Sequence, residues 1–159
     1  FAAESCRDDR EIVLAAIEQD GLALQFAAES CRDDRAIVLA ALNKNGLALQ
    51  FATETCRDDR AVVLAAVQED WRALQFAKLS WQPSNRLGLP CRTLLRVAEA
   101  GIVLAAVQRN GLALELAAES CRGDREIVLT AVKQDWQALK FAAGSCRGDR
   151  QVILAAVQQ

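Results

Sequence analysis

The chain has 159 residues and contains no histidine, no tyrosine and no methionine. Lacking histidine, it has neither the side chain that most readily exchanges protons near neutral pH nor the commonest metal ligand. Aromatic residues make up 5% and there are two prolines, so strand formers and rigid turns are scarce. No run of about 18 uncharged apolar residues occurs, so no segment is expected to insert into a membrane. The longest apolar runs, such as Ile12 to Ile17, have core-helix length. A net charge of -2 and a pI near 5.3 leave no broad basic surface, and nucleic acid is not an expected partner. No Gly-rich phosphate loop and no nucleophile elbow are found. The carboxylates recur as a pattern instead of converging, so neither catalysis nor a cofactor is expected.

What the chain has is Ala, Leu and Val, within an apolar fraction of 52%, arranged with a period. "ESCRDDR" at Glu4 to Arg10 returns at Glu29 to Arg35, as "ETCRDDR" at Glu54 to Arg60 and as "ESCRGDR" at Glu119 to Arg125. Phe1, Phe26, Phe51 and Phe76 are 25 residues apart, as are Leu116 and Phe141. The one irregular interval includes an insertion at Trp81 to Gly101, which holds both prolines and an off-register Cys91. A fixed period of this length signals stacked supersecondary units.

Inside one unit, Glu11, Ala15 and Glu18 form one i, i+4, i+7 stripe, and the rest of "DREIVLAAIEQ" is apolar. The second half, Asp20 to Arg32, places Gln25, Glu29 and Arg32 on another such stripe. Each unit therefore reads as an antiparallel helical hairpin. Asp9 and its equivalents stand where an N-cap carboxylate accepts the free amides of a first turn, and Asp20 or Asn45 is placed to cap the second helix. At that corner Gly21, Gly46 and Gly111 alternate with Trp71 and Trp136, and tryptophan there argues against a left-handed backbone. Leu follows glycine, whereas a polar residue follows tryptophan, as if one large apolar group were needed per corner. Two short helices cannot cover three apolar sides, so neighbouring hairpins must do so. The expected fold is an all-α solenoid of about six repeats, forming a single domain over residues 1–159.

The recurring residues admit a scaffold reading and a functional one. Five cysteines lie in register, and equivalent positions on stacked helices, about 8–10 Å apart, are too distant for a disulfide. With no Cys-x-x-Cys pair, a metal site is not expected, and the thiols read as small core groups. Arg7, Arg32, Arg57, Arg122 and Arg147 belong to a nearly neutral charged corner that reads as caps and ion pairs between repeats. The same arginines are candidates for recognising carboxylates or phosphates. Replacement of Asp8 by Gly123 and Gly148 makes that edge more basic toward the C-terminus. Trp71, Trp136 and Cys91 complete the candidate interaction residues. In the insertion, "TLLRVAEA" reads as an extension of the following helix from a Thr93 cap.

The unit "DREIVLAAIEQDGLALQFAAESCRDD" resembles the tandem repeats of a family known as a domain of unknown function. Its hallmark is D-R-E-[IV]-V-L-x-A-V-x-x-[ND]-G-x-A-L-x-x-A, and it occurs in algae and other protists, bacteria and large viruses. Nearly the whole chain outside the insertion carries the resemblance, which implies the repeat architecture and transfers no catalytic or ligand residue. The expected role is a non-catalytic structural module whose partner is another copy of itself, assembled end to end. Six residues matching "DGLALQ" after Gln159 would meet Phe1 in phase. The alternative is a protein- or peptide-binding adaptor that uses the solenoid surface.

Overall fold

Every long helix in the chain starts one residue after an aspartate where the described caps are seen, because that carboxylate holds two amides of the first turn. Asp34 accepts from the N–H groups of Ala36 and Ile37 at 2.8 and 3.4 Å; Asp9, Asp59, Asp124 and Asp149 do the same for their own helices. The computed structural model describes residues 4–77 and 91–158, with side chains described for 6–77 and 99–158. The chain divides into two compact units, Phe1–Ser80 and Trp81–Gln159.

The first unit runs α1 (Glu4–Asp8), α2 (Arg10–Gln19), the 3-10 helix η1 (Gly21–Phe26), α3 (Glu29–Asp33), α4 (Arg35–Lys44), η2 (Gly46–Phe51), α5 (Glu54–Asp58), α6 (Arg60–Glu69) and η3 (Trp71–Phe76). The second runs α7 (Cys91–Arg109), η4 (Gly111–Leu116), α8 (Glu119–Arg122), α9 (Arg125–Gln134), η5 (Trp136–Phe141), α10 (Gly144–Arg147) and α11 (Arg150–Val157). Within the first unit α4 packs between α2 and α6, and η2 between η1 and η3. Within the second, α9 packs between α7 and α11, and η4 against η5. The fold is an all-α repeat solenoid, with no strand among the described residues. No described helix is long and apolar enough to cross a membrane.

The second half of each repeat differs from the single helix expected of it. It is a 3-10 helix, two extended residues and a short α-helix. Ala27 and Ala28 hold ψ near 153° and 161°. This break lets the N–H of Ala28 donate to the carbonyl of Arg7 in the preceding repeat at 2.8 Å. Thr53 donates likewise to Arg32, and Ala143 to Arg122. The 3-10 segment also changes the buried register: Gly21, Leu24 and Ala27, three apart, are all buried, as are Gly46, Leu49 and Ala52, which is the spacing at which 3-10 side chains eclipse. The stripe of Gln25, Glu29 and Arg32 therefore does not lie along one helix.

The core is apolar throughout. Ile37, Val38, Ala41 and Leu42 of α4 are buried together with Leu24 and Leu49, and no described polar or charged residue is buried. Each such Leu or Ile contributes about 1.5–3 kcal/mol. Residues 78–90, which include the first part of the insertion, lie outside the described residues. Its later part is helical as expected, but α7 starts at Cys91, so Thr93 lies within the first turn and is not the cap. The Cys91 side chain lies outside the described ones.

Candidate functional site

The corner that turns each long helix into its 3-10 segment is capped from one side chain. Asp20, Asn45, Asp70, Asn110 and Asp135 each accept from the N–H two residues ahead. Asp20 and its equivalents are extended, with φ near -149° at Asp20. The glycine after the cap is required for a different reason. A Cβ on Gly21, Gly46 or Gly111 would stand 2.5, 2.4 or 2.3 Å from the carbonyl oxygen of Ala41, Ala66 or Ala131 in the next long helix. At these three corners the absent side chain is what lets the next long helix come so close. At the Trp71 corner Arg72 folds back on its own cap, its guanidinium 2.7 Å from the Asp70 carboxylate. That contact, ahead of the Arg72 amide, holds the Asp70 carboxyl below its usual range. Trp71 is half-buried, but Trp136 is 59% exposed. Packing against the corner accounts for the first and not for the second.

The charged corner sorts its two arginines into separate tasks. The second arginine builds the ladder between repeats: Arg10 pairs with Asp34, Arg35 with Asp59 at 3.3 Å and Arg125 with Asp149 at 2.9 Å. Each acceptor is the cap of the next long helix. Its backbone amides, Ala36 foremost for Asp34 and Gln151 foremost for Asp149, hold these carboxyls below the ordinary aspartate range. The first arginine, nominated from the sequence, contributes its carbonyl to the junction at Arg7, Arg32 and Arg122. Its guanidinium varies: Arg7 and Arg147 are exposed, whereas Arg32, Arg57 and Arg122 are half-buried, each with a buried Nε that has no hydrogen-bond partner.

The cysteines also belong to the junction. Cys31, Cys56, Cys121 and Cys146 are buried. The Cys31, Cys56 and Cys146 thiols point to the carbonyls of Asp8, Asp33 and Gly123 in the preceding repeat at 3.7, 3.4 and 3.3 Å. Burial pushes the Cys56 thiol above its usual range, which makes it a poor nucleophile. Among the described residues no group of three His, Cys, Asp or Glu side chains converges as a metal site would need.

The exposed side of the short helices is where the two units differ. In the first unit a cleft of about 500 Å³ is lined by Glu29, Ser30, Asp33, Thr53, Glu54 and Thr55. Asp33 accepts the Thr53 hydroxyl there. In the second unit the corresponding cleft, about 320 Å³, includes Glu119, Arg122, Lys140, Gly144 and Arg147. It adjoins a cleft of about 540 Å³ formed by Trp136, Gln137 and Leu139, with Lys140 and Arg147 lining both. The Lys140 ammonium lies 4.5 Å from the centre of the Phe141 ring. Sequence reasoning had singled out Arg122, Arg147 and Trp136 separately. It missed Leu139, which is leucine in every repeat, and Lys140, whose signal was the change from Gln25 or Gln50 to lysine at one position of the repeat.

The family model for Domain of unknown function (DUF4116) matches residues 1–32, 9–55, 34–82, 101–145 and 124–159, in overlapping repeats. The chain belongs to that family. No curated protein and no solved structure matches it.

Proposed function

We propose that this member of the DUF4116 family is a non-catalytic structural module whose repeats stack end to end with further repeats of the same kind. One observation carries the reading: the residues that recur most faithfully are taken up by the junction between one repeat and the next. The cap aspartate meets the previous repeat's arginine, and the thiol meets its carbonyl. Residues used in this way serve assembly. Among the described residues, α2 and α11 expose positions whose equivalents in the inner helices are buried. Ile12 is 47% exposed, although its equivalent Ile37 in α4, which packs on α2, is buried; Val157 is 77% exposed, although its equivalent Val132 in α9, which packs on α11, is buried. These surfaces already have a partner geometry within the chain, namely that of one repeat on the next.

Sedimentation velocity across a wide concentration range tests the proposal, with electron microscopy of the full-length protein beside it. Concentration-dependent growth that Ile12→Asp abolishes, with helical content unchanged, is the expected result. Monodisperse monomers at every concentration, together with isolated particles of the full-length protein, would refute end-to-end stacking.

A further inference from the structure

We infer that the two adjoining clefts of the second unit form a docking site for an acidic peptide segment of a partner protein, one that carries a single apolar side chain. The inference goes beyond the structural role and does not depend on it. The apolar share of the site is Trp136 and Leu139, which face a 540 Å³ cleft whose floor is almost wholly carbon. An indole that is 59% exposed beside such a cleft loses most by staying hydrated. The charged share is Lys140 and Arg147, which border both clefts, and Arg122 in the smaller one. Arg122 lines the smaller cleft, and a guanidinium can receive a carboxylate through two parallel hydrogen bonds.

The same region has lost the acids that occupy it in the first unit. Asp33 corresponds to Gly123 and Glu54 to Gly144, leaving Glu119 as the carboxylate that lines the clefts. Basic groups beside an aromatic ledge, with their internal counter-charges removed, suit a ligand that supplies carboxylates and one oily anchor. A nucleic-acid strand fits less well. Phe141 is covered by Lys140, leaving the indole as the open ring, and strand binding relies on successive stacking platforms along a basic groove. A second copy of this chain also fits less well, because its acidic cleft is lined by Glu, Asp, Ser and Thr and offers no apolar side chain to fill the space beside Trp136.

The test is fluorescence anisotropy with a labelled ten-residue peptide of alternating Asp and Glu around one central Phe. Gly144→Glu is the most telling variant. A Cβ at this position meets nothing within 4 Å, and glutamate is the residue the repeat carries elsewhere. The expected results are saturable binding at low salt that weakens as salt rises, affinity at least about threefold lower in Gly144→Glu, and at least about tenfold lower in Lys140→Glu/Arg147→Glu. Replacing the central Phe by Ser, or Trp136 by Ala, should weaken binding several-fold. The inference fails if no saturable binding occurs, or if Gly144→Glu and the double variant bind as wild type does. It also fails if single-stranded oligonucleotide displaces the peptide more effectively than unlabelled peptide does. Self-association abolished equally by Glu29→Lys/Asp33→Lys and by the double variant would reassign the clefts to a second copy.

Discussion

The cleft beside α3 and α5 and the one beside α8 and α10 stand on the same backbone plan and carry opposite charge. Glu29, Asp33 and Glu54 line the first; their equivalents in the second are Glu119, Gly123 and Gly144, joined there by Arg122, Lys140 and Arg147. Under each cleft the junction is the same. Thr53 N–H meets Arg32 carbonyl as Ala143 N–H meets Arg122, and Cys56 meets Asp33 carbonyl as Cys146 meets Gly123. Gly123, the equivalent of Asp33, keeps the carbonyl contact with the thiol while lacking the carboxylate that takes the Thr53 hydroxyl in the first unit, so the backbone part of that junction persists without the side chain. A repeat of this kind therefore separates groups that hold its neighbour, which are backbone atoms, small buried side chains and caps, from groups that face solvent and can change sign.

The largest effect should come from breaking the shared frame. In Gly46→Val the new Cβ would stand 2.4 Å from the Ala66 carbonyl oxygen and 2.9 Å from the Asp70 nitrogen. Both are backbone atoms, so α6 must move. Overpacking of this kind costs about 1–3 kcal/mol or more, and the melting temperature should fall by roughly 2–4 °C per kcal/mol for a chain of this size. Gly111→Val should do the same to the second unit. Gly144→Ala is the control on the variable side: with open space at its Cβ, it should be neutral or stabilise by up to about 1 kcal/mol, since glycine is costly within a helix. Equal melting temperatures for Gly46→Val and Gly144→Ala would show that the two classes of position are not distinct.

A middle-sized effect separates the two duties of one cap. Asp59 accepts from the Ala61 and Val62 amides and also pairs with Arg35 of the preceding repeat. Asp59→Ala removes both contributions and should cost about 1 kcal/mol. Asp59→Asn keeps a capping oxygen and loses the charge, so it should cost only a few tenths, given that exposed ion pairs contribute about 0–1 kcal/mol. Denaturant melts of the two variants measure the split. If both lose the same amount, the ion pair and not the cap fixes the start of α6.

The caps, the period and the all-α stack were legible because they rest on local chemistry: an aspartate ahead of an apolar run declares a helix start wherever it occurs. The break at Ala27 and Ala28 was not legible. Alanine favours helix, and what overrides it is a hydrogen bond to Arg7 in the preceding repeat. The spacing of Gly21, Leu24 and Ala27 was a usable sign of the 3-10 segment, but it competes with an equally good α-helical stripe. Glycine at the corner was correctly separated from a left-handed turn by the tryptophan substitutions, whereas its actual purpose depends on how near Ala41 comes. Of the clefts, the arginines and Trp136 were visible one by one. Their convergence with Lys140 and Leu139 depends on how η5 and α10 are set together, which no single repeat of the sequence displays.

The smallest effect tests whether the two units share one electrostatic frame beneath their unlike clefts. Asp34 in the first unit and Asp149 in the second both have carboxyls held below the ordinary aspartate range, first by backbone amides and then by Arg10 and Arg125. A carboxyl depressed in the folded state contributes stability that is fully present above its unfolded value and is lost as pH falls through the folded one. Stability should therefore stay level from neutral pH to about 5 and decline below about 4. The decline should be gentle, because these groups are near the surface, where solvent screens the pairs. Asp34→Asn and Asp149→Asn should each flatten the acid limb by a similar amount, although one cap lies in the unit with the acidic cleft and the other in the unit with the basic one. Acid titrations followed by circular dichroism read this directly. A limb flattened by one substitution and untouched by the other would mean that the charge of the cleft reaches down into the frame and that the separation of the two sets of residues is incomplete.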